Sequence, residues 1–117
     1  MPRNYTTHRY WTGILNASLC KFFILRALCD GPTYGYEIIR RVARISDEFC
    51  VPTEGTIYPV LSEFQQCGCV TCQPEIVNGR TRKVYTLTLK GREAYQAGKE
   101  VWQQGLSSVH RAVTKKR

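Results

Sequence analysis

The chain has 117 residues, one domain's worth, and 43% of them are hydrophobic, enough for a single compact core. With 17 Lys+Arg against 9 Asp+Glu the formal net charge is +8, which points to a polyanionic partner, nucleic acid before an anionic membrane. The most apolar stretch, residues 14–29, is broken by Lys21 and Arg26 and falls short of the about 20 apolar residues of a membrane span; it makes no secretory core either, so the expected location is the cytoplasm and the six cysteines are expected as reduced thiols.

Residues 1–13 are polar, basic and aromatic (Tyr5, His8, Arg9, Tyr10, Trp11) and read as an N-terminal arm. Residues 14–29 read as a helix. Ile14, Leu15, Leu19, Phe22, Phe23, Ile24, Leu25 and Leu28 leave it little polar face, so burial on several sides is expected. Asp30-Gly31-Pro32 ends it. A second helix spans 34–46, with Ile38, Val42 and Ile45 on one face and Arg40, Arg41 and Arg44 on another. After a turn at 47–52, Thr53 is the expected N-cap of a third helix, with Glu54 in its first turn. Ile57, Val60, Leu61 and Phe64 form its apolar stripe, and Gly68 stops it. Pro59 removes an interior hydrogen bond if this helix starts at Thr53, and none if it starts near Thr56.

Asn78-Gly79 between apolar-alternating runs at 70–77 and 82–89 marks a hairpin, whose loop is expected to carry Arg80, Arg82 and Lys83. A last helix runs from near Gly91 to about Val113. Its residues Tyr95, Trp102, Leu106, Val109 and Val113 are spaced 7, 4, 3 and 4 apart, the rhythm of a helix packed on a partner helix. Lys99 takes the remaining seam position, and Gly98 and Gly105 lower the local helix propensity. The expected fold class is mainly α with a small β-hairpin. It comprises an arm at 1–13, a winged helix-turn-helix domain at 14–89, a C-terminal dimerisation helix at 90–113 and a basic tail at 114–117. The third helix of such a domain enters the major groove of DNA.

Four ordered blocks carry a family resemblance: Gly31-Pro32-Thr33-Tyr34-Gly35-Tyr36-Glu37-Ile38; Gly55-Thr56-Ile57-Tyr58-Pro59 with Leu61; Gly79-Arg80-Thr81-Arg82-Lys83-Val84-Tyr85 with Leu87-Thr88; and Gly91. Over residues 14–102 the chain resembles the PadR family of winged-helix transcriptional regulators, in its short subfamily. The resemblance implies that Tyr58-Pro59 lies within the recognition helix. It implies a homodimer held by the last and first helices, and a repressor of a nearby operon, often one for efflux or detoxification. It also implies that Trp102 lines a cleft at the dimer centre where flat hydrophobic compounds stack. The chain departs from the family at Cys67-Gly68-Cys69, where members carry a polar residue, Gly and Leu, and in its longer N-terminal arm.

The candidate DNA contacts are Tyr36, Thr53, Gly55, Thr56 and Tyr58, because hydroxyls and a helix N-terminus bind phosphate, together with Arg80, Arg82 and Lys83 on the wing. For Tyr36, DNA contact and core packing both stay open. The expected partner is double-stranded DNA with an inverted repeat, and the candidate site for an aromatic effector is Trp102 with Lys99 and Leu106. For Trp102 a plain interface role stays open as well. Cys67, Cys69 and Cys72 form a C-x-C-x2-C run that Cys50 can approach, and thiolates bind soft metals. Such a set would make a metal- or redox-sensing repressor. Yet Cys69 and Cys72, three apart, point to opposite faces of a strand, and Cys20 and Cys29, nine apart, lie on opposite sides of a helix. Packing thiols are the preferred reading, with no metal and no cofactor. With only His8 and His110 and no Ser/His/Asp set, carboxylate pair or phosphate loop, no enzyme is expected. The rival class is a basic helical module that binds RNA, protein or lipid, against which the wing and recognition-helix blocks argue.

Overall fold

In the computed structural model, which describes residues 3–115, the first helix α1 (His8–Leu28) starts at His8 rather than at Ile14. Met1, Pro2 and the tail residues Lys116 and Arg117 lie outside the described residues. The early start has a local cause. Thr7 is extended and its hydroxyl accepts from the Tyr10 N–H at 3.3 Å, an N-cap. Tyr10 meets Tyr5 and Trp11 edge to face, at 4.9 and 5.3 Å between ring centroids, and the Trp11 indole donates to the Tyr5 carbonyl at 2.8 Å. The expected arm is therefore helical over its second half.

Only the second half of α1 enters the core. Leu19, Cys20, Ile24, Leu25, Ala27 and Leu28 are buried, whereas Trp11, Ile14 and Leu15 stay exposed, so burial on several sides applies from Leu19 onward. A two-residue strand β1 (Thr33–Tyr34) follows, then α2 (Gly35–Ile45) and α3 (Glu54–Gln66). Ile24 and Leu28, Ile38 and Val42, and Ile57 and Leu61 meet in the centre with almost no exposure. Each such side chain contributes roughly 1.5–3 kcal/mol by leaving water. Arg41 does not project freely from α2. Its guanidinium donates to the Ala27 and Gly31 carbonyls at 3.1 and 2.8 Å and closes the C-terminal end of α1.

The hairpin is β2 (Val70–Val77) and β3 (Arg80–Leu87), in antiparallel register from Val70↔Leu87 to Val77↔Arg80. Asn78 and Gly79 both have positive φ, 51° and 77°, as the two-residue turn that matches strand twist requires. β3 thus starts at Arg80, not at Arg82, and the three basic residues expected in the loop stand on the strand itself. β1 pairs with β3 on its other side, Thr33↔Tyr85 and Tyr34↔Val84, giving the order β1-β3-β2. β2 is an edge strand, which is why Pro74 is tolerated in it.

Thr88 ends the hairpin and caps α4 (Leu89–Thr114): its hydroxyl accepts from the Gly91 N–H at 3.1 Å and donates to the Gly68 carbonyl at 2.7 Å. Gly91 lies so close to the Cys69 carbonyl and the Leu87 side chain that a Cβ would collide with both. Further along α4, Tyr95 stacks on Phe22 of α1, 5.3 Å between centroids at 20°. A Cβ on Gly98 would stand 3.2 Å from the Phe22 ring. Gly98 therefore accommodates a helix of its own chain. Every described residue from 103 onward is exposed. No helix among the described residues is long and apolar enough to cross a membrane.

Candidate nucleic-acid interface

Helix α3 divides cleanly. Ile57, Leu61 and Phe64 face the core, and Thr56, Tyr58, Pro59, Ser62, Glu63, Gln65 and Gln66 are exposed. The helix begins directly after Thr53, whose carbonyl accepts from the Thr56 and Ile57 N–H groups at 3.0 and 2.9 Å. Thr53 holds the cap position, but its side chain does not cap. The hydroxyl sits 3.2 Å from that of Thr56 and bonds there instead. The first turn of α3 is left without a side-chain cap, and Glu54 and Gly55 in it are exposed. Uncapped N–H groups at a helix start favour an anion. Pro59 lies inside α3 and frees the carbonyl four residues back, that of exposed Gly55, where water can reach it.

Between α3 and the sheet runs a groove of about 550 Å³. One wall is Tyr58, Ser62 and Gln65 of α3; the other is Thr81, Arg82 and Lys83 of β3; Tyr34 and Gly35 close one end. Gly35 makes room for Tyr58 there: a Cβ would stand 2.5 Å from the Tyr58 hydroxyl oxygen and 2.7 Å from its ring. The side chain of Tyr58 lies across the start of α2, still 42% exposed.

The basic residues of the wing are not equivalent. Arg80 and Lys83 are exposed. Arg82 is half-buried, with its guanidinium 4.4 Å from the centroid of the Tyr34 ring and its Nε buried without a hydrogen-bond partner. Stacking on an aromatic face holds that charge at the groove wall. Tyr36 is 53% exposed, so it is no core residue; it lies beside Arg40, 6.0 Å from guanidinium to ring centroid, outside the groove. Arg40 and Arg44 lie near Glu37, at 3.9 and 3.4 Å.

Tyr34, Gly35, Ser62, Gln65, Thr81 and Tyr85 line the groove as well, and none of them is among the DNA contacts expected from the sequence. Ser62 and Gln65 had a signal: with Tyr58 they fall at i, i+4 and i+7, one exposed helix face. Tyr34 had none, because its place depends on the pairing of β1 with β3.

At the far end of the molecule, Lys99 and Trp102 are half-buried and Leu106 is 51% exposed. The cysteines divide differently from the sequence expectation. Cys67 is exposed, Cys72 half-buried and Cys69 buried in the core, as its replacement of a Leu suggests. Cys50 is buried and lines a cavity together with Cys20 of α1. Among the described residues no three His, Cys, Asp or Glu side chains are grouped to hold a metal ion, so Cys50, Cys67, Cys69 and Cys72 do not form the set considered above.

The sequence model of the transcriptional regulator PadR-like family matches residues 24–97. Among solved structures, a PadR-like transcriptional regulator from Bacillus cereus strain ATCC 14579 is similar at 25% identity and TM-score 0.75, covering 86% of this chain and 96% of that one. A PadR family transcription regulator from Clostridium difficile R20291 is also 25% identical, with TM-score 0.71 over 81% of this chain and 98% of the other. A PadR family regulator from Eggerthella lenta DSM 2243 shares the fold at 18% identity, with TM-score 0.77 and coverage of 92% and 93%. No curated protein compared with the chain matches it.

Proposed function

The chain belongs to the PadR-like family of transcriptional regulators, which bind DNA and are not enzymes, and on that premise we propose that it is a homodimeric repressor that reads an inverted-repeat operator with α3 and the wing. The observation that carries this reading is the groove between the exposed face of α3 and the basic edge of β3. Thr53, Gly55 and Thr56 at the uncapped start of α3 take a phosphate. Tyr58, Ser62 and Gln65 face the base edges. Arg80 and Lys83 reach flanking phosphates, and Arg82, held on Tyr34, sets the wing against the groove wall. Tyr36 is a phosphate contact at the periphery. The winged domain at 14–89 thereby reads DNA, in the cytoplasm, and the helix at 90–113 joins two copies.

The free half of α4 supports the dimer. Leu106, Val109 and Val113 form an exposed apolar stripe at heptad spacing, and Trp11, Ile14 and Leu15 of α1 are exposed too. A second copy covers both. In that dimer Trp102, Lys99 and Leu106 line the centre, where two indoles sandwich a flat aromatic effector whose binding favours the dimer geometry that releases DNA.

The test is the salt dependence of binding to a random-sequence duplex, with an RNA duplex and anionic vesicles as competitors. Wild type prefers duplex DNA. The double variant Arg80→Ala, Lys83→Ala flattens the slope of log K against log salt by about 1.8, from two lost phosphate contacts. An unchanged slope, or tighter binding to RNA or vesicles, refutes the wing and groove as a DNA interface.

A further inference from the structure

Behind the recognition helix, on the side away from the wing, lies a second cavity of about 270 Å³. Asn16, Ala17 and Cys20 of α1, Cys50 to Pro52 of the connecting loop, and Thr53 and Thr56 at the start of α3 line it. Cys20 and Cys50 are 7% and 3% exposed and share this lining, α1 supplying one thiol and the loop before α3 the other. Ser46 Oγ accepts from the Cys50 N–H at 3.0 Å and donates to the Val42 carbonyl at 2.8 Å, which ties the backbone at Cys50 to the end of α2. Asn16 Oδ1, buried and without a hydrogen-bond partner, adds an oxygen donor to the same lining. Two buried thiols facing one open space, one of them on a backbone tied to α2, beside an unused oxygen, make a ligand set that neither DNA binding nor dimerisation uses.

We propose that Cys20 and Cys50 form a two-thiol site for a soft, two-coordinate metal ion of the copper(I) or mercury(II) class. The ligand count selects the ion. Zinc wants four ligands in a tetrahedron, and among the described residues no third His, Cys, Asp or Glu is grouped with this pair. Soft thiolates alone suit soft ions, and a linear sulfur–metal–sulfur bridge needs only two donors. The step balances without redox change: one ion forms two metal–sulfur bonds, two S–H bonds break, and two protons leave to solvent. Oxidation of the pair to a disulfide is disfavoured by the same burial. Desolvation, the largest cause for each, pushes both thiols above their usual range, and thiol oxidation runs through the thiolate. A metal ion displaces those protons instead, so its apparent affinity rises with pH through the neutral range, by about a hundredfold per pH unit while both thiols remain protonated.

The place of the site gives the ion a consequence. Thr53 and Thr56 share its lining, so an ion that ties the loop to α1 acts at the start of the recognition helix. The metal site itself stands apart from the DNA reading, since its test contains no DNA.

Full-length reduced protein, kept anaerobic, is titrated with mercuric chloride in the presence of excess glutathione, which strips single thiols. The expected result is one ion retained per protomer, a sulfur-to-mercury charge-transfer band, and two sulfur neighbours in X-ray absorption. Cys67→Ser with Cys72→Ser, a variant altered only outside this pair, retains the ion as wild type does. Cys20→Ala and Cys50→Ala each weaken retention about a hundredfold, the loss of a second, intramolecular bond. Loss of retention in the Cys67, Cys72 variant, retention that survives removal of Cys20 and Cys50, or a Cys20–Cys50 disulfide in protein that takes no mercury overturns the proposal.

Discussion

Two glycines permit close approaches inside the molecule, each for a steric reason. Gly91 brings the start of α4 against the backbone of the chain before β2; the Cys69 carbonyl that a Cβ would strike cannot rotate aside. Gly91→Ala is expected to destabilise the fold by about 1–3 kcal/mol, the usual cost of overpacking, measured as a lower urea midpoint at unchanged slope. Gly35 makes a different contact. There the obstructing group is the Tyr58 side chain, which has solvent to move into. Gly35→Ala is therefore expected to leave the stability read from urea unfolding within about 0.5 kcal/mol of wild type, while DNA affinity falls because Tyr58 is displaced from the groove. A large stability loss with unchanged DNA binding contradicts the role given to Gly35. Arg41 and Arg82 belong at this scale too. Both are basic residues that counting charge assigns to solvent or DNA, and both are held by the chain itself, one on helix-end carbonyls and one on a tyrosine ring.

Among the elements, legibility follows the range of the interaction that makes each one. The Asn78-Gly79 turn is local, needing two residues at positive φ, and the sequence announces it. The apolar stripes of α2 and α3 are local repeats and appear as expected. The start of α1 was obscured because the aromatic run from Tyr5 to Trp11 carries no helical period; its order comes from a Thr7 cap and edge contacts between rings. β1 is two residues long and exists only through its pairing with β3, 50 residues away in register Tyr34↔Val84. The Cys20–Cys50 pair is likewise a product of tertiary packing, invisible to spacing rules. In the candidate interface, Thr56, Tyr58, Arg80 and Lys83 were readable as types at a helix start and a hairpin, whereas the capping state of Thr53 depended on a competing hydroxyl.

Helix α4 gives the element-scale prediction. Its first half is fixed by Phe22 against Tyr95 and Gly98, and every described residue from 103 onward is exposed. Leu106→Glu puts charge into the seam and is expected to yield monomers in analytical ultracentrifugation. In a Trp11→Phe background Trp102 is the only indole, as the chain has two. Planar cationic dyes then quench the dimer's fluorescence and leave the Leu106→Glu monomer unquenched. Equal quenching of both forms removes the effector from the dimer centre.

At the scale of the whole molecule, the described chain is elongated, 58 × 32 × 25 Å, with the groove proposed to face DNA built from α3 and the wing and the apolar stripe on the far half of α4. In the proposed dimer, two copies joined along α4 present two recognition helices related by a two-fold axis. Such a dimer reads half-sites about one helical turn, 34–36 Å, apart, and self-complementary geometry in the protein demands an inverted repeat in the DNA. The most direct test is selection of bound duplexes from a random pool by the wild-type dimer, followed by the same selection with Thr56→Ala. The wild type is expected to enrich an inverted repeat with half-site centres about 10 base pairs apart, and Thr56→Ala to weaken or alter that enrichment. A pool that stays random, or an enriched site without two-fold symmetry, contradicts the account.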